Sequence, residues 1–217
     1  MPRMAAHARR WCQGCAGTIQ DVASRAVRFR DPTSAYSLYA LAVHPIDVVC
    51  PRCAARARVV GEPGDDRPST TRARRLVCSA CGHTATWSSR SGSSWWGAAV
   101  DPFFRQPLVL TTVVRGHVLW AYNRAHLVLL AQFVAAGLRE RGPHEGCSMS
   151  LIEMLPAWMK SARNRDGVLA AVARLAARLD DPGKAALRLR GPAKTADLRR
   201  RGAHEHRRAA WSTASRP

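Results

Sequence analysis

Two Cys-x-x-Cys pairs, Cys50-Pro51-Arg52-Cys53 and Cys78-Ser79-Ala80-Cys81, stand 24 residues apart and constrain this chain more than any other feature. Two cysteines separated by two residues reach one ion from a single tight turn, and four thiolates make the tetrahedral set that zinc prefers. Gly82 follows the second pair and is free to take positive φ, which lets amides point back at the sulfurs. The intervening residues suffice for a strand from Ala55 to Val60, an exposed Pro- and Gly-rich loop over Gly61 to Pro68, and a return strand from Arg72 to Val77. A third strand from His83 to Ser88 completes a zinc ribbon in which Cys50, Cys53, Cys78 and Cys81 hold one structural zinc ion. Such a site is coordinatively closed, so it stabilises a fold and does not activate water.

Charge bears on partners. The chain has 34 Lys and Arg against 15 Asp and Glu, a net charge of +19, which attracts anions such as DNA, RNA or acidic headgroups. A codon bias toward Arg explains the same excess without any partner. The ends are the most basic parts and lack an apolar period, so residues 1–35 and 183–217 are expected to be disordered extensions. The Arg-rich start is not followed by an apolar run of secretory length. The longest apolar stretch, Val118 to Leu138, contains Asn123, Arg124, His126 and Gln132; one buried charge there costs about 2.5 kcal/mol or more in hydrocarbon. No membrane span is expected, and the expected location is cytoplasmic, where six of seven cysteines in Cys-x-x-Cys pairs point to metal.

The pattern predicts an α+β chain: a ribbon over 36–90, then a small module over 91–182. In that module, Leu108 to Val114, rich in β-branched residues, and His117 to Tyr122 read as strands and predict a hairpin over 108–122 joined at Arg115-Gly116. Asn123 suits an N-cap for a helix over 124–141, ended by Gly142-Pro143. Further helices are expected over 150–162, with Pro156 in the first turn, and over 165–179, where Val168, Val172, Leu175 and Leu179 make a stripe.

Other residues carry weaker signals. Arg56, Arg58, Arg72, Arg74 and Arg75 lie on predicted strands, where alternation puts several on one face able to grip phosphates; a solvated face is the alternative. Trp95 and Trp96 either stack on bases beside Arg90 and Arg105 or plug the space between ribbon and helices. Cys12 and Cys15 form a third pair, either part of a disordered extension or half of a second zinc site with His144 and Cys147. His83 and His117 each follow a Gly and read as turn or strand-start residues. The phosphate-loop, nucleophile-elbow and H-E-x-x-H patterns are absent, which leaves an ATPase, serine hydrolase or zinc protease poorly supported. An enzyme would need a pocket gathering Asn123, His126, Glu153 and Lys160.

The two cysteine pairs, Asp101-Pro102-Phe103-Phe104 with Pro107-Leu108, Gly116 to Asn123, His126-Leu127, Leu138 to Arg141 and Leu155 to Ala162 together resemble a bacterial family of uncharacterised zinc-ribbon proteins, described as TFIIB-type zinc-ribbon proteins. The resemblance spans Val49 to Leu179. Some members carry a borrowed label as a primosomal replication-restart helicase, an activity at odds with the missing phosphate loop. This chain departs from the family at Arg105, where relatives tend to have Gly, and at Arg115, where they have Cys. The resemblance implies a zinc-binding fold and no settled activity. The leading expectation is a noncatalytic nucleic-acid-binding or regulatory protein, and the alternative is a zinc-stabilised adaptor that docks a larger protein.

Overall fold

The computed structural model describes residues 28–31, 37–94, 96–140 and 150–180, and these form an α+β fold. It begins with β1 (Arg28–Arg30) and the single-turn helix α1 (Leu38–Leu41), which Ser37 caps by accepting from the Ala40 amide at 3.1 Å. Strands β2 (Ile46–Val49), β3 (Arg56–Gly61), β4 (Arg74–Val77) and β5 (Thr84–Trp87) then form one antiparallel sheet in that order. The three strands expected from the sequence are therefore four. The added one, β2, precedes the first cysteine pair and is buried at every position, so it lacks the alternation that marks a half-exposed strand.

Register sorts the side chains of this sheet. Val48 lies opposite Ala57, Val59 opposite Leu76, and Leu76 opposite Ala85, so one face is a buried apolar layer that also includes Ile46 and Trp87. The period of two puts Asp47, Arg56, Arg58, Arg75, Thr84 and Thr86 on the other face.

β6 (Thr111–Val114) and β7 (His117–Trp120) make the hairpin. It is narrower than 108–122 because Leu108 bridges to Val48 instead, and the Val109 amide donates to the Asp47 carbonyl at 3.1 Å. Its turn places Arg115 at φ 48 and Gly116 at φ 83, the doubly positive pattern of a type I′ turn. β2 is thus bonded along both edges: Asp47 also donates to the Tyr122 carbonyl at 2.9 Å, and Val49 to that of Pro107 at 2.8 Å.

Helix α2 (Arg124–Ala135) starts at Asn123, whose Oδ1 accepts from the His126 amide at 3.1 Å. It stops well short of the predicted residue 141. Arg139 reaches back to donate to the carbonyls of Phe133 at 3.0 Å and Val134 at 3.3 Å, and Arg165 donates to that of Ala136 at 3.3 Å. These guanidinium groups satisfy carbonyls that a continuing helix would have bonded. The chain then extends into β8 (Leu138–Glu140), which pairs in parallel with β1. Residues 1–35, expected to be largely disordered, thus include the strand β1. It is anchored by buried Phe29, edge-on to Phe133 at 5.5 Å, and by Glu140, which pairs with both Arg28 and Arg30.

The helix expected over 150–162 is only the turn α3 (Ala157–Lys160), followed by a 3-10 turn at Ala162–Asn164. Ser150 and Glu153 exchange hydrogen bonds that close the preceding residues into turns, and Pro156, at ψ 148, is extended and outside the helix. The last helix, α4 (Arg165–Asp180), matches its expected span and buries Val168, Val172 and Leu175 against α2 and β6. Among the described residues, no helix is long and apolar enough to cross a membrane. Cys12, Cys15, His144, Cys147 and the basic segment 183–217 lie outside the described residues.

Candidate metal centre

Each cysteine pair sits in a turn of the same design. The Cys50 amide donates to the Ala55 carbonyl at 2.8 Å and the Ala54 amide to the Cys50 carbonyl at 3.0 Å; in the second turn Cys78 donates to His83 at 2.9 Å and Gly82 to Cys78 at 3.0 Å. Both turns need a left-handed residue four positions after the first cysteine, which is Ala54 at φ 60 and Gly82 at φ 71. One turn precedes β3 and the other joins β4 to β5, and strand pairing brings their sulfurs together.

The Sγ atoms of Cys50 and Cys81 lie 3.7 Å apart, those of Cys53 and Cys78 3.6 Å apart, and all four fall within 4.8 Å of one another. A tetrahedral ion with metal–sulfur bonds of about 2.3 Å has sulfur–sulfur edges of about 3.8 Å, so this set fits one such ion. Cys50 and Cys78 are buried, Cys81 is half-buried and Cys53 faces solvent. The Arg52 amide approaches the Cys50 sulfur at 3.4 Å.

The thiols do not ionise independently. Cys53 gains from an amide at Ala55, but the neighbouring thiols of Cys81, Cys78 and Cys50, together with partial desolvation, push it up to about 12. Burial raises Cys78, yet the amides of Cys81 and Ala80 and the adjoining thiols bring it down to about 7. A cation at the centre would stabilise all four thiolates together.

The five candidate arginines separate. Arg56, Arg58 and Arg75 share the outward sheet face, and Arg56 is engaged there by Asp47 at 2.7 Å and by the Leu179 carbonyl at 3.2 Å. Arg74 points inward and is only 1% exposed. It donates to the carbonyls of Ala42 at 2.8 Å and Ser69 at 2.9 Å, lies 4.6 Å from the centre of the Phe103 ring, and is lowered to about 10, first by burial. Arg72 folds over Gly61, where a Cβ would come within 2.7 Å of its Nε, and donates to the Glu62 carbonyl at 3.0 Å. Alternation turns Arg74, the first residue of β4, into the core, while Arg72 precedes the strand and is half-buried beside Gly61.

Trp96 packs edge-on against Tyr39 at 4.7 Å and Phe103 at 5.6 Å, and its Nε1 donates to Ser94 at 3.0 Å. Trp95 lies outside the described residues. The four residues of the candidate enzyme pocket have other roles. Asn123 caps α2, buried His126 accepts from the Tyr122 amide at 3.3 Å, and Lys160 donates to the Glu153 carbonyl at 2.7 Å. His83 supplies a turn carbonyl, and His117 stacks on Trp158 at 4.8 Å.

Three buried acids, Asp31, Asp47 and Asp101, were not singled out by the sequence, and Asp31 accepts from the Ser150 hydroxyl. Asp101 accepts from the amides of Phe103, Phe104 and Gln106 at 3.0, 2.8 and 2.6 Å, holding a loop in which Arg105 has φ 61. Burial raises its pKa against those three amides. Asp47 is likewise raised by burial against the pull of Arg56. The Asp-Pro-Phe-Phe sequence, an acid before a proline-led turn, could have flagged Asp101. No family model matches the chain, and no curated protein or solved structure matches it either.

Proposed function

We propose that Cys50, Cys53, Cys78 and Cys81 bind one zinc ion, that the sheet around them is a zinc ribbon, and that the chain is a noncatalytic nucleic-acid-binding protein. The observation that carries the reading is the closed set of four sulfurs, at edges of 3.6 and 3.7 Å, held by turns at one end of a sheet whose outward face carries arginines. Four protein ligands leave no position for a substrate, so the ion organises the sheet and the outward surface does the binding. The resemblance to bacterial zinc-ribbon proteins agrees with this reading. Metal analysis of protein purified without chelator should give one zinc per chain. Binding to DNA or RNA should weaken steeply between low and physiological salt. Affinity that is flat with salt would refute the nucleic-acid part alone, and absence of metal would refute the whole.

One observation favours the adaptor reading. Tyr39 and Val43, 47% and 53% exposed, stand on the short segment that covers Trp96. Capture of a protein partner that survives nuclease treatment and is lost in Tyr39→Ser would support it.

A further inference from the structure

We infer that the outer edge of β5 pairs with the same edge of a second copy of the chain, joining two four-stranded sheets into one continuous antiparallel sheet. The contact lies in the backbone of Thr84 and Thr86 and goes beyond the metal and nucleic-acid readings.

The phase of the hydrogen bonds defines what this edge offers. The Cys78 amide donates to the His83 carbonyl at 2.9 Å, and on the far side of β4 the Glu62 amide donates to the Ala73 carbonyl at 3.0 Å. Carried along the register, these bonds make Leu76 with Ala85, and Arg74 with Trp87, the hydrogen-bonded pairs of β4 and β5. Thr84 and Thr86 are then the alternate positions, whose amides and carbonyls point away from β4. Both residues are exposed, and no described residue outside the ladder bonds to their backbone. β5 is the last strand in the order β2-β3-β4-β5, whereas the opposite edge, at β2, is closed by the 107–109 and Tyr122 backbone.

Symmetry and charge name the occupant. An antiparallel copy of β5 turned about Ala85 sets Thr84 against Thr86 of the second copy, and Thr86 against its Thr84. Both amides and both carbonyls of each edge then find partners, with Thr–Thr pairs on the outward face. The other strands of the sheet carry Asp47, Arg56, Arg58, Arg74 and Arg75, but β5 carries no charge. Charge is what ordinarily guards an edge strand against pairing. In a chain of net charge +19, an uncharged edge is where a like-charged copy meets least repulsion, while an acidic peptide would find no cation on the strand it joined. Arg75, the outward cation nearest the edge, lies one strand inside it, so it stands three strand spacings, about 14 Å, from its counterpart. That exceeds the screening length of about 8 Å at physiological salt. So short an edge makes a small interface, and the dimer is weak and concentration-dependent.

The test is sedimentation equilibrium on the full chain, treated with nuclease, from about 10 μM to about 1 mM at low and physiological salt. The mass should move from monomer toward dimer across this range, and further at the higher salt, because screening weakens repulsion between the copies. Thr86→Pro deletes an amide that the monomer leaves unbonded and should weaken association about tenfold or more. Thr84→Lys with Thr86→Lys opposes like charges across the axis and should weaken it as well, whereas Thr84→Lys with Thr86→Glu opposes unlike charges and should tighten it about threefold. Far-UV dichroism of each variant checks the monomer fold. A mass that stays monomeric throughout, a dimer indifferent to Thr86→Pro, or equal effects of the Lys/Lys and Lys/Glu variants would each overturn the pairing. Association that falls with salt would overturn it too, since that is the signature of copies bridged by residual nucleic acid.

Discussion

Ala54 and Gly82 occupy the same place in two successive turns, each donating its amide to the carbonyl of the cysteine four residues earlier, and each at positive φ, 60 and 71. Only one of them is glycine. An L side chain in the left-handed region costs about 1 kcal/mol, so Ala54→Gly should stabilise the folded protein by about that amount. Gly82→Ala should destabilise it similarly, by backbone strain alone, because nothing lies within 4 Å of the added Cβ. Denaturant midpoints of the two variants, moving in opposite directions, check the equivalence.

Arg115 occupies the first central position of a type I′ turn at φ 48, where Asn is far better suited. Arg115 is exposed, so Arg115→Asn should raise stability by about 0.5 to 1 kcal/mol with no loss of core packing. A thermal midpoint that falls would show that the arginine makes a contribution its backbone conformation conceals.

His126 is buried, and burial lowers its pKa to about 3, below the ~6.5 of a free imidazole. The sign follows from linkage: the folded state refuses a proton that the unfolded chain accepts. The stability this group contributes is complete above pH 6.5 and is lost as pH falls toward 3, by about 1.4 kcal/mol per pH unit. His126→Asn keeps an acceptor for the Tyr122 amide and should flatten the pH dependence between 6.5 and 5. Thiolate protonation contributes equally to both proteins, so the difference in urea midpoints isolates the histidine.

Arg74 and Arg58 should separate stability from binding. Arg74→Met fills similar volume but leaves the carbonyls of Ala42 and Ser69 without their donor, and should cost about 2 to 3 kcal/mol while sparing the proposed nucleic-acid affinity. Arg58→Gln, on a side chain 59% exposed, should leave the midpoint unmoved and lower affinity. A reversed pattern would mean that alternation has been assigned to the wrong face.

Cys50→Ser should abolish tight metal binding, because three thiolates and a weak hydroxyl no longer form the set that all four sulfurs provide. Loss of the proposed metal should be accompanied by loss of near-UV dichroism from Trp87, which is buried in the same sheet.

The sequence made the cysteine turns, the Asn123 cap and the span of α4 legible because each depends on residues close together in the chain. Helix α2 was overextended because its end is decided by Arg139 and Arg165 reaching back to its last carbonyls, a tertiary event. The strand at Arg28–Arg30 was hidden because its partner lies more than a hundred residues away. The arginines were hardest to read. Their number suggests a uniformly cationic surface, yet Arg74, Arg139 and Arg165 are donors to backbone carbonyls, and only the register of β3 and β4 tells which ones face outward.

Because β2 is hydrogen-bonded to β3 on one edge and to the Pro107–Val109 and Tyr122 backbone on the other, the cysteine-bearing half and the helical half share a strand. There is no seam along which a chelator could melt one and spare the other. Withdrawal of the proposed ion should therefore propagate to α2 and α4, and the two halves should come apart in one transition, with the four thiols acting as the latch for both.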